Sequence, residues 1–335
     1  MAEAKTCRVV FMGTPEFAVP SLEQLAQWHR GQIVGVYTQP DRPSGRGHKM
    51  TLPPVKKAAL SLGFPVFQPA SLKNSEALEQ LVALKPDIIA VAAYGVILSQ
   101  AVLDTPTLDC VNVHASVLPR YRGAAPIQRA VMDSWLPGTE SGVSIMRVRY
   151  KLDSGPVFAV EKVPVGEHTY GSLHDVLSVR GAKLLVDVLN DILDGKAQAF
   201  EQDENDVTYA PKVSRQDGKL FWTCSAAQIH AQIRGLTPRP GANVVLLPCS
   251  DSHVPTVNVR LLPGRISASV GETQPGTVWH DSGILRIACC DYWYEIDKVR
   301  PQGRNTMNIK DFLNGIWRNL PQGFCGFAQN INDTP

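Results

Sequence analysis

The sequence predicts an α/β fold in which a Rossmann-like domain precedes a smaller β-barrel domain. Two patterns predict the first domain: an apolar run at residues 8–12 leads into Gly13-Thr14-Pro15, and residues 87–93 form a continuous apolar strand. Short apolar runs separated by turn residues, from residue 242 onward, are typical of a small barrel. Because 335 residues exceed the usual size of one hydrophobic core, two domains are expected.

The first element is a strand that turns directly into a helix. Residues 8–12 (RVVFM) predict the strand, Pro15 can occupy the first helical turn, and Ser21-Leu-Glu-Gln24 fits a capping box. A dinucleotide site requires Gly-x-Gly-x-x-Gly at such a turn, whereas this sequence has only Gly13. We therefore expect a Rossmann-like fold that binds no nicotinamide.

A basic stretch at residues 39–49 separates the second predicted strand, at 33–38, from a short third strand at 66–67. The stretch is rich in proline and glycine and carries the cations Arg42, Arg46 and Lys49. A segment of this length without periodicity is either functional or disordered. A solvated surface loop is therefore the alternative to a binding role.

Residues 109–155 carry the candidate chemistry. Alternation of apolar and polar residues at 110–114 predicts a strand that places Asn112 and His114 on one face. Ser116, Pro119 and Gly123 then break the strand, and residues 124–132 (AAPIQRAVM) have the composition of a helix. The pair thus lies beyond the carboxyl end of a strand, where open α/β sheets bind ligands. The alternative for an isolated Asn-x-His pair is a hydrogen-bonded structural histidine.

A strand, a turn and a long helix complete the first domain. Residues 142–148 predict the strand, and Lys151-Leu-Asp-Ser-Gly155 predicts the turn, in which Asp153 is by composition an ordinary turn former. Helical spacing of apolar residues predicts a helix over 170–193 that ends before Gly195. We accordingly divide the chain into a first domain at 1–195, a polar linker at 196–212 and a second domain at 213–335.

The second domain is predicted to begin with a short helix and to continue as strands. The helix is expected over 225–234. The strands are expected at 242–247, 256–262, 276–280, 284–288 and 292–299.

Composition limits the classes of protein to which the chain can belong. Seven cysteines without Cys-x-x-Cys spacing predict reduced thiols and no metal site. The net charge of +2 identifies no partner, although residues 211–335 carry 13 Lys and Arg against nine Asp and Glu. No apolar run approaches the roughly 18 residues of a membrane span, and no signal peptide is evident at the N-terminus. A cytoplasmic protein that uses no membrane is therefore expected.

Residues 116–129, SVLPRYRGAAPIQR, resemble a specific motif of the formyltetrahydrofolate-dependent formyltransferases. The RGAAPIQR portion is similar to the members that act on methionyl initiator tRNA. The resemblance implies a Rossmann-like catalytic domain, an OB-like second domain and 10-formyltetrahydrofolate as cosubstrate. It also implies that Ser116, Val117, Leu118 and Pro119 contact the folate.

The resemblance further implies a catalytic set of Asn112, His114 and Asp153. The Asn amide and the His ring would stabilise the oxyanion of the tetrahedral intermediate, and Asp153 would hold the imidazole and relay a proton. No metal is required. In the same family the stretch at 39–49 enters the acceptor end of the initiator tRNA, so Arg42, Arg46 and Lys49 are expected to contact RNA. The chain is expected to act as a monomer.

Three other enzyme activities and one non-enzymatic role remain open alternatives. The same three residues serve formylation of glycinamide ribonucleotide or of an amino sugar, or hydrolysis of the folate. The fourth alternative is a binding module that retains the pocket without catalysis. The sequence also departs from the family pattern: Lys151 replaces a common glycine, and Arg147, Arg149 and Tyr150 are unusually basic and bulky.

Overall fold

A computed structural model describes residues 6–44, 49–249, 254–318, 320 and 322–330 of the chain. Packing divides them into two compact units. The first contains the described residues up to Pro126, together with Glu140–Pro164 and His174–Ala210. The second contains Ile127–Thr139, Val165–Leu173 and the described residues from Pro211 onward.

The N-terminal two thirds of the chain alternates strands and helices, as the sequence predicts. In chain order the elements are β1 (Cys7–Gly13), α1 (Val19–Gln27), β2 (Gly31–Tyr37), β3 (Arg42–Ser44), β4 (Lys49–Thr51), α2 (Pro54–Ser61), β5 (Val66–Phe67), α3 (Ser75–Ala83), β6 (Ile88–Ala92), α4 (Gln100–Leu103), β7 (Asp109–His114), β8 (Arg122–Gly123), α5 (Pro126–Met132), β9 (Ser141–Arg147), β10 (Val157–Val163), α6 (Tyr170–Leu193) and β11 (Tyr209–Ala210).

The first unit is built on a seven-stranded sheet with the strand order β10-β9-β7-β6-β1-β2-β5. Strands β1, β2, β5, β6 and β7 are parallel, whereas β9 runs antiparallel to β7. Every residue of β6 is buried, because helices cover both faces of a sheet of this kind. The Rossmann-like prediction is therefore confirmed.

Helix α6 has the predicted bounds and packs directly against strands β7 and β9. A Cβ atom on Gly181 would lie 2.8 Å from Val113 Cγ1 and 2.9 Å from Val143 Cγ2. Only a glycine therefore lets the helix backbone approach β7 and β9 this closely. The contact buries the strand position that lies between Asn112 and His114.

The second unit contains an antiparallel half-barrel of nine strands. Its elements are α7 (Ala226–Leu236), β12 (Ala242–Pro248), β13 (Val257–Leu261), β14 (Arg265–Ser269), β15 (Thr277–Asp281), β16 (Ile284–Ala288), β17 (Tyr292–Ile296), β18 (Lys298–Pro301), β19 (Met307–Asn308), α8 (Ile309–Gly315) and β20 (Gly323–Asn330). The strand order is β14-β17-β16-β15-β20-β12-β13-β18-β19. The prediction of an OB-like second domain is confirmed at the level of fold class.

Several elements of the second unit differ from the prediction. The expected strand at 292–299 is two strands, β17 and β18, and β20 was not predicted although it lies between β12 and β15 in the sheet. Gly323 and Gly326 interrupt the alternation of β20, and its register with β15 shifts between Val278 and Trp279. A pattern search for regular alternation consequently misses this central strand.

All seven cysteines are in the reduced thiol form. Burial raises the pKa of the Cys289 and Cys325 thiols to about 12, so both are protonated at neutral pH. Among the helices of the described residues, none combines the length and apolarity that crossing a membrane requires.

Candidate active site

Asn112 and His114 lie at the carboxyl end of β7, between β6 and β9 in the sheet. Asn112 is half-buried and pairs in register with Val91 and Met146. Within the described part of the chain, no group hydrogen-bonds the Asn112 side chain. Its amide can therefore donate to a bound molecule without first breaking an internal bond.

The His114 ring is buried, and each of its nitrogens faces an oxygen. Nε2 lies 3.0 Å from the carbonyl oxygen of Tyr121. Because a carbonyl oxygen only accepts, Nε2 carries the hydrogen of this bond. Nδ1 lies 3.7 Å from Oδ1 of Asp153, and the two side chains are only 7% and 12% exposed. The structure thus places Asp153 beside His114, the residue with which the family resemblance associates it.

Asp153 is held at both its side chain and its backbone. Its Oδ2 accepts a hydrogen bond of 2.8 Å from the backbone N–H of Gly123, which leaves Oδ1 towards the imidazole. Its φ of +48° lies in the left-handed region, which Asp tolerates better than most residues. A Cβ atom on Gly155 would collide with the carbonyl oxygen of Arg147, so the Asp-Ser-Gly turn requires glycine at its end.

The unusual basic residues before Asp153 are all engaged in ion pairs. The Lys151 side chain has its partner, Glu204, outside the turn, so a lysine at this position is compatible with the conformation of the turn. The pairs are Arg147 with Asp109 at 2.7 Å, Arg149 with Glu201 at 2.6 Å and Lys151 with Glu204 at 3.1 Å. We call residues 149–155 the Asp153 loop and residues 201–204 the acidic segment. Two of the three pairs join the loop to the segment.

Residues 116–119 form a tight turn that β9 holds in place. The Ser144 hydroxyl donates to the Ser116 carbonyl oxygen at 2.7 Å and accepts from the Leu118 N–H at 3.1 Å. Ser116 and Leu118 are buried, whereas Val117 and Pro119 are half-buried. The side chains that remain accessible at this turn are therefore mainly apolar.

A cavity of about 380 Å³ opens beside this turn. Leu118 and Pro119 line it together with Phe158 and Phe200. The acidic segment contributes polar groups through Glu201, Gln202 and Asp203. An apolar wall with a few polar groups is the usual composition of a site for a small organic molecule.

Two residues of this site were not predicted from the sequence, namely Arg122 as a buried cation and Gln202. Arg122 is 0% exposed, and its guanidinium contacts the side chains of Gln202 and Glu204. Hydrogen bonds from Arg122 and Lys151 lower the pKa of the Glu204 carboxyl. Gln202 escaped notice because residues 197–207 are polar without periodicity, which is typical of a linker.

The basic stretch at 39–49 includes two short paired strands, β3 and β4, which bring Arg42 opposite Thr51. Arg42 is exposed at the start of β3. Asp41 beside it pairs with Lys56 at 2.7 Å, and hydrogen bonds from Lys56 and Gln68 lower the pKa of its carboxyl. The backbone of Lys49 begins β4, whereas Arg46 lies outside the described residues.

No group of three or more His, Cys, Asp or Glu side chains that could hold a metal ion occurs in the described ranges. The expectation that the chain uses no metal remains a prediction.

Comparison with known proteins identifies the family. The profile described as formyl transferase matches residues 7–189, and the profile described as formyl transferase, C-terminal domain, matches residues 212–316. The chain belongs to the formyl transferase family, as the sequence motif predicts.

Named relatives and a solved structure agree with this assignment. The chain is 56% identical over 336 residues to the methionyl-tRNA formyltransferase of Desulfovibrio desulfuricans, with 100% of both chains covered. It is 42% identical to that of Listeria innocua, covering 93% of this chain and 97% of the relative. The fold is similar to that of an N-formyltransferase from Helicobacter canadensis in complex with folinic acid and dTDP-3-aminofucose. That structure has a TM-score of 0.62 at 17% identity and covers 87% of this chain and 98% of its own.

Proposed function

We propose that this chain transfers the formyl group of 10-formyltetrahydrofolate to the free amino group of methionyl initiator tRNA. The observation that carries the proposal is the 56% identity, over the whole of both chains, to a relative named methionyl-tRNA formyltransferase. The contact of His114 with Asp153, on the strand face that also bears Asn112, supplies a matching set of groups.

Asn112 and His114 stabilise the negative charge that develops on the formyl oxygen when the amine attacks. The Asn112 amide has N–H groups to donate, and the site is largely shielded from water, where such donors are most effective. The donor available on His114 is Nδ1 in its protonated form, because Nε2 already donates to Tyr121.

Asp153 and His114 manage the protons of the reaction. The amine nitrogen forms a bond to the formyl carbon and must lose a proton, and nitrogen 10 of the folate must gain one as its bond to that carbon breaks. Oδ1 of Asp153 is the carboxylate oxygen that faces Nδ1, since Oδ2 is fixed by Gly123. A carboxylate next to an imidazole can take up and pass on a proton without a metal or covalent intermediate.

The folate is assigned to the turn formed by Ser116, Val117, Leu118 and Pro119. The apolar side chains at this turn and the adjoining cavity of about 380 Å³ support the assignment. The apolar side chains offer packing surface for the flat rings of the cosubstrate, and the polar residues that also line the cavity can fix its orientation.

The tRNA is assigned to Arg42, Arg46 and Lys49 and to the second domain. Arg42 is exposed, and cationic side chains of this kind suit the phosphates of an acceptor end. The division into a catalytic domain at 1–195, a linker at 196–212 and a tRNA-binding domain at 213–335 is part of this proposal. Because the whole catalytic set comes from one chain, a monomer suffices, and we place the protein in the cytoplasm with its tRNA substrate.

Alanine substitution of the catalytic set tests the proposal. We expect Asn112→Ala, His114→Ala and Asp153→Ala each to lower kcat by roughly 10²- to 10³-fold, since each removes a group used in the transition state. The measurement is transfer of a radiolabelled formyl group to charged initiator tRNA. Glycinamide ribonucleotide and a nucleotide amino sugar are offered in parallel as alternative acceptors.

Asp104→Ala is the matched control, because it removes an exposed carboxylate of the first unit, at the end of α4. It should retain the wild-type rate. If any of the three variants keeps a rate within about threefold of wild type, the activation barrier has changed by less than about 1 kcal/mol. That residue would then be removed from the catalytic set. If transfer to either small acceptor were faster than transfer to tRNA, that acceptor would replace tRNA as the proposed substrate.

A further inference from the structure

The Gln202 side chain ties together the two ends of the Asp-Ser-Gly turn. Its Nε2 donates to the carbonyl oxygen of Asp153 at 2.8 Å and to that of Gly155 at 2.7 Å. These are two donors on one rigid planar group, so both bonds form only when the turn has one particular shape. The amide therefore contacts the backbone of the residue whose carboxylate faces His114.

Arg122 fixes which way the Gln202 amide points. Its Nε and Nη2 donate to Oε1 of Gln202 at 3.0 and 2.9 Å, and Nη2 also reaches Oε1 of Glu204 at 2.9 Å. A guanidinium has no acceptor, so the amide oxygen must face it and the amide nitrogen must face the turn. Because Arg122 is fully buried, this orientation is imposed from inside the unit.

We propose that Gln202 is a positioning residue for catalysis, which holds Asp153 against His114 and is itself oriented by Arg122. The inference rests on the proposed function of Asp153. The backbone of Asp153 has a φ of +48°, a conformation that a non-glycine residue adopts only when its surroundings hold it. The two bonds from Gln202 and the Gly123 N–H supply that restraint.

The two exposed ion pairs of the Asp153 loop restrain Asp153 less than Gln202 does. The pair of Arg149 with Glu201 is 47% and 67% exposed, and that of Lys151 with Glu204 is 63% and 60% exposed. Exposed pairs of this kind contribute little, because water screens the charges and long side chains lose freedom. The half-buried amide is therefore the member of the acidic segment whose loss should move Asp153.

Gln202→Glu separates positioning from simple packing. The carboxylate can still accept from Arg122, but it has no N–H to donate and it repels the carbonyl oxygens of Asp153 and Gly155. We expect kcat to fall on the order of 10- to 100-fold, because displacement of a catalytic group by about 1 Å has effects of this size. The KM for tRNA should stay within about twofold of wild type, since the tRNA is assigned to other residues.

A double-mutant cycle shows whether Gln202 acts through Asp153. In the Asp153→Ala background, Gln202→Glu should lower the single-turnover rate by no more than about twofold, because the group it positions is already gone. If the rate loss of the double variant equals the product of the two single-variant losses, the inference is overturned. A Gln202→Glu variant with wild-type kcat, or one that changes only KM, would overturn it as well.

A readout that needs no substrate distinguishes failure of this inference from failure of the proposed function. The Gly123 amide donates to Asp153 Oδ2, so its hydrogen exchange reports the position of the carboxylate. Exchange at Gly123 should become roughly tenfold faster in Gln202→Glu, as expected when a hydrogen bond is opened more often. Unchanged exchange overturns the inference whatever the acceptor is, whereas an inactive wild-type enzyme counts only against the function.

Asp206→Asn is the matched control, because it alters an exposed carboxylate of the same polar stretch that does not line the cavity. It should leave kcat and the Gly123 exchange unchanged. Should Gln202→Glu fail to fold, Gln202→Asn keeps the donor and acceptor on a shorter side chain that cannot span both partners. The same loss of kcat and faster Gly123 exchange are then expected, and wild-type values for both would overturn the inference.

Discussion

At the scale of single residues, Arg42 offers a test of the proposed tRNA contact. We expect Arg42→Ala to raise the KM for tRNA on the order of three- to tenfold, because one phosphate contact is lost, and to leave the KM for the folate unchanged. The dependence of the tRNA KM on salt should become shallower for the same reason. Steady-state kinetics at several salt concentrations measure both effects.

Lys73→Ala is the charge-matched control for Arg42, since Lys73 is an exposed cation of the first unit. Equal effects of the two variants would mean that net charge, and not a contact of Arg42, determines the KM. An unaltered KM in Arg42→Ala would refute the assigned role.

Some residues of the site could be predicted from the sequence and others could not, for physical reasons. The period of two in a strand placed Asn112 and His114 on one face without any knowledge of the family. Their proximity to Asp153 follows from the pairing of β7 with β9, which spacing along the chain does not encode. Gln202 acts through contacts distant in sequence and lies in a polar segment, so no local pattern distinguishes it from solvated residues.

At the scale of elements, the packing of α6 on β7 can be tested at Gly181. We expect Gly181→Ala to lower the free energy of unfolding by about 1–3 kcal/mol, although alanine favours a helix, because the new methyl group overlaps stiff valine side chains. Denaturant unfolding followed by circular dichroism measures the change. Turnover should fall as well, since Val113 lies between Asn112 and His114.

Val179→Ala is the control on the same helix, because Val179 is 48% exposed. Its free energy of unfolding should remain within about 0.5 kcal/mol of wild type. A Gly181→Ala variant as stable as this control would mean that α6 can move away from the sheet without cost.

Most of the elements found from the sequence have a regular period or a continuous apolar run. Helix α6 and strands β5 and β16 have the predicted bounds, and strands β1, β2, β6, β7 and β9 differ from prediction by one or two residues at their ends. The helices α2, α3 and α8 were not predicted, and each has nine residues or fewer. Such short helices depend on tertiary packing for their stability, so their own sequence gives a weak signal.

At the scale of the whole molecule, the fold class and the family could both be predicted from the sequence. The assignment of separate chain segments to each of the two units could not be predicted from the sequence. Residues 127–139 and 165–173 belong to the second unit, although they lie inside the segment that the sequence treats as the first domain. Contacts between segments distant along the chain decide this membership, and they leave no mark in local composition.

The pairing of β11 with β8 has a practical consequence for anyone who wishes to remove the C-terminal part of the chain. Tyr209 lies beside Arg122 and Ala210 beside Gly123, so a protein terminated at residue 195 loses a strand neighbour and Gln202 together. Such a truncated fragment should be less resistant to proteolysis and should show fast exchange at Gly123. A truncation that keeps this pairing therefore ends after Ala210, fifteen residues beyond the glycine that closes the long helix.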